Sequence, residues 1–165
     1  MTELRAVNNG FEQSIIIQSQ VVQYLFQHRQ LNAKMPEAGG QLFGLVSPDS
    51  ILITCATGPY LKDDRGPRHY RSHPLSAQSE IKRQSKIDRT YLGEWHTHAE
   101  KTPRASGHDI DAIRRLVKSS NLTVNGLLMV IVGQNLDTSG ITIYSYMHDN
   151  LVCWDMLSNT EGTIE

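Results

Sequence analysis

Cysteine is scarce in this sequence of 165 residues, which contains only Cys55 and Cys153, far apart in the chain. Two such cysteines do not make a disulfide framework, so we expect a reducing compartment and a buried, inert thiol at Cys153. The amino terminus lacks the basic start and apolar stretch of a signal peptide. No apolar run approaches the roughly 20 residues that span a bilayer. These absences predict a cytoplasmic protein that has no membrane partner.

An excess of charge of one sign is also missing, because 16 Lys and Arg stand against 17 Asp and Glu, a formal net charge of -1. Such a balance argues against a broad nucleic-acid-binding surface. Hydrophobic residues make up 39% of the chain and charged residues 20%, which is typical of a globular protein. Because no repeat or linker divides the sequence, we predict a single domain over residues 1–165.

Apolar and β-branched runs alternate with amphipathic segments along the chain. The order of these elements predicts an α/β (α+β) fold in which one mixed sheet is flanked by helices. Turn-forming residues between the second and third predicted strands indicate an antiparallel hairpin. The tail after Asn150, which contains Trp154, is expected to pack back on the domain. Strands are predicted over 14–17, 40–46, 51–57, 91–97, 126–132 and 141–147, and helices after a cap at Ser19, over 76–88 and over 106–119.

The segment 58–73 contains two prolines, two glycines and many charges, which predicts a long loop. Its basic run of Arg65, Arg68, His69 and Arg71 is interpreted as solvated. Loops of this length without structure of their own are often functional. We therefore consider the segment a candidate flap or substrate-contact loop.

Two histidines, His96 and His98, stand two residues apart near the end of a predicted strand. Because strand side chains alternate, both imidazoles point to the same face and can bind one divalent metal. Asp109 follows after ten intervening residues, enough for a loop that returns a carboxylate to this face. Two nitrogens and one oxygen leave a fourth tetrahedral position free, as in catalytic zinc sites.

Each of these residues also has an ordinary structural interpretation. The histidines could be half-exposed strand residues, and Asp109 could complement the positive end of a helix. Ser106, three residues before Asp109, could simply cap that helix. Glu94 could be a surface acid at the start of a strand or could orient an imidazole from the same face. The combined spacing favours the metal site over these separate interpretations.

A zinc site that hydrolyses amides also needs a base. Glu37 precedes a glycine-rich apolar strand, where glycines allow close approach of another backbone or a substrate. Without the histidine pair, it would be interpreted as an exposed loop acid.

The combined motif resembles that of the JAMM, or MPN-plus, metallopeptidases. One position departs from the family pattern, since Ala99 stands where proline usually follows the second histidine. The resemblance implies a JAMM/MPN-like mixed sheet with cytidine-deaminase-like layering. The motif comprises Glu37, Gly40, Leu42 and Gly44, then His96, His98, Ser106 and Asp109.

The resemblance also implies roles for these residues. One Zn²⁺ per chain would be bound by His96, His98 and Asp109. Glu37 would act as the general base, and Ser106 would donate a hydrogen bond to the oxyanion. Flanking residues look most similar to the bacterial JAMM peptidases of anti-phage CBASS operons. This implies an isopeptidase for a protein with a flexible C-terminal tail, either ubiquitin-like or a cyclic-nucleotide synthase conjugate.

Two other classes of function are weighed against this one. A metal-free MPN scaffold that only binds proteins usually lacks part of the ligand set, and here the set is complete. The His-Glu-x-x-His pattern of other zinc peptidases and the Pro-Cys-x-x-Cys half of the deaminase signature are absent. The sequence thus favours a metallopeptidase, with the silent scaffold as the alternative.

Overall fold

Ten strands and three helices form the part of the chain that the computed structural model describes, residues 2–122 and 125–158. All six predicted strands and all three predicted helices are confirmed, with small shifts of their ends. In chain order the elements are β1 (Leu4–Val7), β2 (Ser14–Ile17), α1 (Ser19–Gln27), β3 (Gly39–Val46), β4 (Ser50–Ala56), β5 (Asp64–Gly66), β6 (His69–Arg71), α2 (Pro74–Ser85), β7 (Thr90–Thr97), α3 (Gly107–Ser119), β8 (Gly126–Val132), a 3-10 turn (Thr138–Gly140), β9 (Ile141–Met147) and β10 (Asn150–Met156).

Eight strands form one mixed sheet, which closes into a barrel in the order β1-β10-β9-β8-β7-β3-β4-β2. The pairs β2–β4 and β7–β8 are parallel, and the others are antiparallel, including the predicted β3–β4 hairpin. The predicted α+β class and mixed sheet are confirmed. The predicted architecture was a mixed sheet flanked by helices with cytidine-deaminase-like layering, whereas the observed sheet closes into a barrel because β1 pairs with β10, joining Ala6 to Met156 across most of the chain.

The core lies inside the barrel, and the alternation of strand side chains divides each strand between two environments. In β8, Leu128, Val130 and Val132 point into the central core. The alternate residues of β8, including Met129 and Ile131, form a second cluster under α3. Four buried residues of α1 cover the central core, and α2 lies against β7 and β3. None of these helices, within the described residues, has the length and apolar character to cross a membrane.

A bulge in β7 sets which side chains face outward near its end. The register with β3 shifts between Leu42 and Phe43, so that Leu92 is left as the extra residue on β7. Gly93 has a φ of 144°, and a Cβ there would lie 2.0 Å from the Leu128 carbonyl oxygen. Only glycine fits this position. After the bulge, Trp95 is completely buried in the core and the alternate residue His96 faces outward.

Two helix starts differ from the predictions. Ser19 is the first helical residue of α1 rather than its cap, and the N-cap residue Gln18 makes no side-chain capping bond. Helix α2 begins at Pro74, two residues earlier than predicted, since the His73 side chain accepts a hydrogen bond from the Ser76 amide. Proline in the first turn is well tolerated because its missing N–H would have no partner there.

The segment 58–73 is not the unstructured loop that its composition predicted. It contains the small hairpin β5–β6, which pairs Arg65 with Tyr70. Asp63 fixes its base by accepting hydrogen bonds from the Tyr60 and His73 amides at 2.6 and 2.8 Å and from the Tyr70 hydroxyl at 2.7 Å. The polar composition of this segment therefore supports a hydrogen-bonded structure.

Candidate metal centre

The two histidines stand at the end of β7, separated by an inward-facing threonine. Thr97 is completely buried, and its hydroxyl donates to Gln30 Oε1 at 3.0 Å and accepts from the Ala38 amide at 2.9 Å. The Thr97 amide donates to the Ala38 carbonyl, also at 2.9 Å. Because Thr97 is fixed in this inward orientation, the alternate residues His96 and His98 point to the outer face, where their Nε2 atoms lie 3.2 Å apart.

Asp109 is brought to the histidines by the first turn of α3. Ser106 is the N-cap residue of this helix, as the structural interpretation predicted. Its Oγ accepts from the Asp109 amide at 3.1 Å, and its amide donates to Asp109 Oδ2 at 2.8 Å. This reciprocal capping box fixes the orientation of the carboxylate.

The three side chains fit a tetrahedral metal ion. His96 Nε2 lies 3.3 Å from Asp109 Oδ1, and His98 Nε2 lies 3.2 Å from Asp109 Oδ2. Zinc with metal–ligand distances of about 2.0–2.1 Å places neighbouring ligand atoms about 3.3–3.4 Å apart. The two imidazole nitrogens have this spacing, and each has it to a different oxygen of the Asp109 carboxylate. The three residues form a group that could hold a metal ion.

Burial acts on the pKa values of Asp109 and His98 in one direction, and the hydrogen bonds and charges between these residues act in the other and prevail. Burial favours a raised pKa for Asp109, but the hydrogen bonds from His96 and His98 outweigh it and hold the pKa well below the ordinary value. For His98, burial favours a lowered pKa, but the hydrogen bond and charge of Asp109 outweigh it and raise the pKa. Negative charge at Asp109 therefore attracts a cation, either a proton shared with histidine or a metal.

Glu37 lies beside the group on the neighbouring chain segment. The β3–β7 register pairs Gly39 with His96, so that Glu37 falls opposite His98. Only 6% of Glu37 is exposed. Burial raises the pKa of its carboxyl to about 7, against the opposing effect of the nearby His98 charge. A carboxyl with a pKa near neutrality is suited to accept and release a proton at physiological pH.

The loop between His98 and Ser106 is held in place although Ala99 replaces the proline of the motif. Gln134 and Asn135 donate backbone hydrogen bonds to the carbonyls of Glu100 and Lys101, at 2.8 and 3.3 Å. Farther along the loop, the Thr142 hydroxyl donates to the Pro103 carbonyl at 2.6 Å, and the Ala105 amide donates to the Tyr144 hydroxyl at 3.2 Å. Hydrogen bonds from the β8–β9 connection and from β9 thus fix the backbone of this loop, which a proline would otherwise restrain.

The hairpin β5–β6 borders the site, where the sequence analysis expected a flap or substrate-contact loop and not a hairpin. The Glu37 amide donates to the Gly66 carbonyl at 2.8 Å, and Arg65 Nε donates to the Glu37 carbonyl at 2.6 Å. The Tyr70 ring covers Gly39, where a Cβ would lie 2.5 Å from ring carbons. Arg65 is exposed, as the solvated interpretation of the basic run predicted, but its side chain also contacts the backbone of Glu37. The sequence gave no signal of this contact.

Glu94, His108 and Cys153 lie outside the cluster of His96, His98 and Asp109. The Glu94 carboxylate accepts from Gln41 Nε2 at 3.2 Å and Tyr91 OH at 3.3 Å, so it belongs to a polar cluster beside the site. His108, which precedes Asp109 in sequence, is exposed on the first turn of α3. Cys153 is exposed rather than buried, and both cysteines are free.

The chain is similar in sequence to proteins named CD-NTase/cGAS isopeptidase. The chain is 31% identical over 138 residues to a CD-NTase/cGAS isopeptidase from Escherichia coli (strain TW11681), with 81% of this chain and 85% of that protein covered. It is 36% identical to a protein of the same name from Pseudomonas aeruginosa (strain BWHPSA011 / Pa011), covering 66% of this chain and 70% of that protein. No protein-family model matches the chain.

A solved structure shares the fold. The solution structure of protein DSY2949 from Desulfitobacterium hafniense superposes with a TM-score of 0.60, covering 83% of this chain and 87% of that one. The two sequences are 20% identical, so this likeness concerns the fold alone.

Proposed function

The chain belongs to the CD-NTase/cGAS isopeptidase family, and on that premise we propose that it is a zinc-dependent isopeptidase of the JAMM type. The observation that carries the proposal is the cluster of His96, His98 and Asp109, in which the two Nε2 atoms lie 3.2 Å apart and each lies 3.2–3.3 Å from a different oxygen of the Asp109 carboxylate, with the buried Glu37 alongside. The set of two imidazoles and one carboxylate suits zinc and leaves one position for catalysis.

Each residue of the site has a separate role in amide hydrolysis. A bound zinc ion lowers the pKa of water and polarises the scissile carbonyl. Glu37 accepts a proton from the attacking water and passes it to the leaving amine, for which its pKa of about 7 is well matched. The Ser106 Oγ accepts from the Asp109 amide and still has its own proton to donate to the oxyanion.

The substrate we propose is a protein joined through its C-terminal carboxyl to an amine, with the CD-NTase of an anti-phage CBASS pathway as the conjugated protein. The names of the relatives support this choice. An extended C-terminal tail would lie along the hairpin β5–β6, whose strands are short and mostly exposed. The alternative is a catalytically silent scaffold that binds the same proteins.

The first experiment measures zinc in the purified protein and in the Asp109→Ala variant. We expect about one zinc per wild-type chain and a strong loss in the variant, because one of three protein ligands is gone. Cleavage of a C-terminal CD-NTase conjugate is then measured with wild type and Glu37→Gln, which retains the zinc ligands. Wild-type protein that takes up no zinc after metal loading would end the peptidase proposal and favour the scaffold.

A further inference from the structure

The hairpin β5–β6 holds the backbone of Glu37 from both sides. The Gly66 carbonyl accepts from the Glu37 amide at 2.8 Å, and Arg65 Nε donates to the Glu37 carbonyl at 2.6 Å. Glu37 precedes the first residue of β3, so the ladder of the barrel does not hold it. The neighbouring Ala38 is held by the barrel, through its two hydrogen bonds with Thr97. Because the Glu37 carbonyl and the Ala38 amide belong to one planar peptide group, the barrel restrains one end of Glu37. The hairpin supplies the contacts of the Glu37 amide and carbonyl, and the position of the carboxyl depends on both.

The hairpin in turn is fixed to the barrel at three places. At its base, Gln41 of β3 donates to the Ser72 hydroxyl at 2.9 Å. At its turn, the completely buried Gln30 donates to the Pro67 carbonyl at 3.2 Å, while the same side chain accepts from Thr97 between the two histidines. In its middle, the Tyr70 ring packs on Gly39. These contacts favour a rigid support over a flap, which was one of the two roles considered from the sequence, the other being a substrate-contact loop.

We propose that Arg65 is a positioning residue for Glu37 and that the hairpin β5–β6 is a fixed brace for the base. This inference rests on the proposed function, in which Glu37 transfers the proton. The Arg65 guanidinium acts through the peptide carbonyl of Glu37 and leaves the carboxyl free for the reaction. A displacement of a catalytic group by about 1 Å can cost about 100-fold in rate, so loss of this contact should act on catalysis.

A rival interpretation is that Arg65, which is exposed, contacts the substrate directly. The two interpretations differ in kinetics, because a substrate contact changes KM and a displaced base changes kcat. Arg68 offers a matched control, since it is an exposed arginine at the turn of the same hairpin.

The test measures kcat, KM and zinc content of the full chain with the CD-NTase conjugate. We expect Arg65→Ala to lower kcat by about 10- to 100-fold with KM within twofold and zinc unchanged. Arg68→Ala should leave kcat within twofold. Because Arg65 acts through Glu37, Arg65→Ala should add nothing to Glu37→Gln. If Arg65→Ala does not fold, Arg65→Met, which keeps the apolar stem, is judged by the same criteria.

A second measurement does not depend on activity. Hydrogen exchange at the Glu37 amide should quicken at least tenfold in Arg65→Ala, while exchange at the Thr97 amide, which is held by Ala38, stays unchanged. The proposal that the hairpin is a brace would be overturned if Arg65→Ala left hydrogen exchange at the Glu37 amide unchanged. It would also be overturned if this variant raised KM and left kcat unchanged. A Glu37→Gln variant as fast as wild type would instead refute the proposed role of the base, and the exchange data would still decide the brace.

Discussion

His98 uses one imidazole nitrogen toward Asp109 and turns the other toward Glu100. Its Nδ1 is buried and has no hydrogen-bond partner among the described residues, and the Glu100 carboxylate lies 3.8 Å away. When Nε2 binds a metal, Nδ1 carries the proton and needs an acceptor that fixes the ring. A small movement of Glu100 would supply it.

We therefore predict that Glu100→Ala weakens zinc affinity by about 10- to 100-fold, as measured by competition with a zinc chelator. Glu100→Gln, which retains an acceptor without the charge, should lie between this variant and wild type. Glu12→Ala removes an exposed carboxylate remote in sequence and serves as the control. An affinity in Glu100→Ala within twofold of wild type would show that Glu100 does not orient the ring.

Ser106 combines a structural and a proposed catalytic role, and one substitution can separate them. Glycine is nearly as good an N-cap as serine, so Ser106→Gly should change the free energy of unfolding by only a few tenths of a kcal/mol. Loss of the oxyanion donor should lower kcat by about 100-fold or more. Ser106→Thr keeps both the cap and the hydroxyl and is the matched control. A kcat in Ser106→Gly within threefold of wild type would leave the serine as a cap alone.

At this scale, the sequence predicted the cluster of His96, His98 and Asp109 better than its surroundings. Residue type and spacing were enough for His96, His98 and Asp109, because strand alternation and one helix start bring them together. The contact of Arg65 with Glu37 was missed because it is made to a backbone carbonyl, which leaves no complementary residue in the sequence. The sequence left two roles open for Glu94, because its hydrogen-bond partners Gln41 and Tyr91 depend on the β3–β7 register and the bulge.

Among the elements, β3 is the one most restricted by its neighbours. Gly40 lies where β3 meets the end of β4, and a Cβ there would lie 1.7 Å from the Thr57 carbonyl oxygen. Because that atom belongs to the backbone, a side chain cannot be accommodated without moving the segment that leads into the hairpin β5–β6. The glycine of the motif thus serves close packing of two chain segments at this position.

We predict that Gly40→Ala destabilises the protein by about 3 kcal/mol or more, the upper part of the range for overpacking. This corresponds to a fall in Tm of roughly 6–12 °C for a domain of this size, measured by calorimetry. Gly107→Ala is the control, because a Cβ there meets nothing within 4 Å and alanine is the better helix residue. Equal Tm values for Gly40→Ala and wild type would mean that the chain segments at the ends of β3 and β4 can move apart at little cost in stability.

Element types were predictable, whereas closure of the sheet was not. The β-branched and apolar runs of β2, β3, β4, β8 and β9 signal strands by composition alone. Short β1 and mixed-polarity β10 carry no such signal, and their pairing links the two ends of the chain. The hairpin β5–β6 was missed for a related reason, since its Asp-Arg-Gly and His-Tyr-Arg strands are polar and their order comes from Asp63 and Gln30.

For the whole molecule, the groups at the site couple folding to pH. Glu37 has its pKa raised from 4.5 to about 7 by burial, so its contribution to stability is complete below 4.5 and is lost as pH rises through 7. The raised pKa of His98 acts in the same direction, with stability present below 6.5 and lost as pH rises through the folded pKa. The lowered pKa of Asp109 acts oppositely and costs stability only as pH falls below about 3.8. Metal-free protein should therefore lose stability between pH 6 and 8, by about 1 kcal/mol from Glu37 alone.

Zinc should reverse this trend, because its ligands bind only when they are deprotonated and the proton on His98 competes with the metal less as pH rises. We predict that the increase in Tm on adding zinc to chelator-treated protein is larger at pH 8 than at pH 6. Calorimetry at the two pH values, with and without zinc, measures this difference. Glu37→Gln should flatten the metal-free slope, and Asp109→Ala should abolish the zinc increment at both pH values. An equal increment at pH 6 and pH 8 would mean that zinc binds away from His98, because a site that includes this histidine must release its proton to take up the metal.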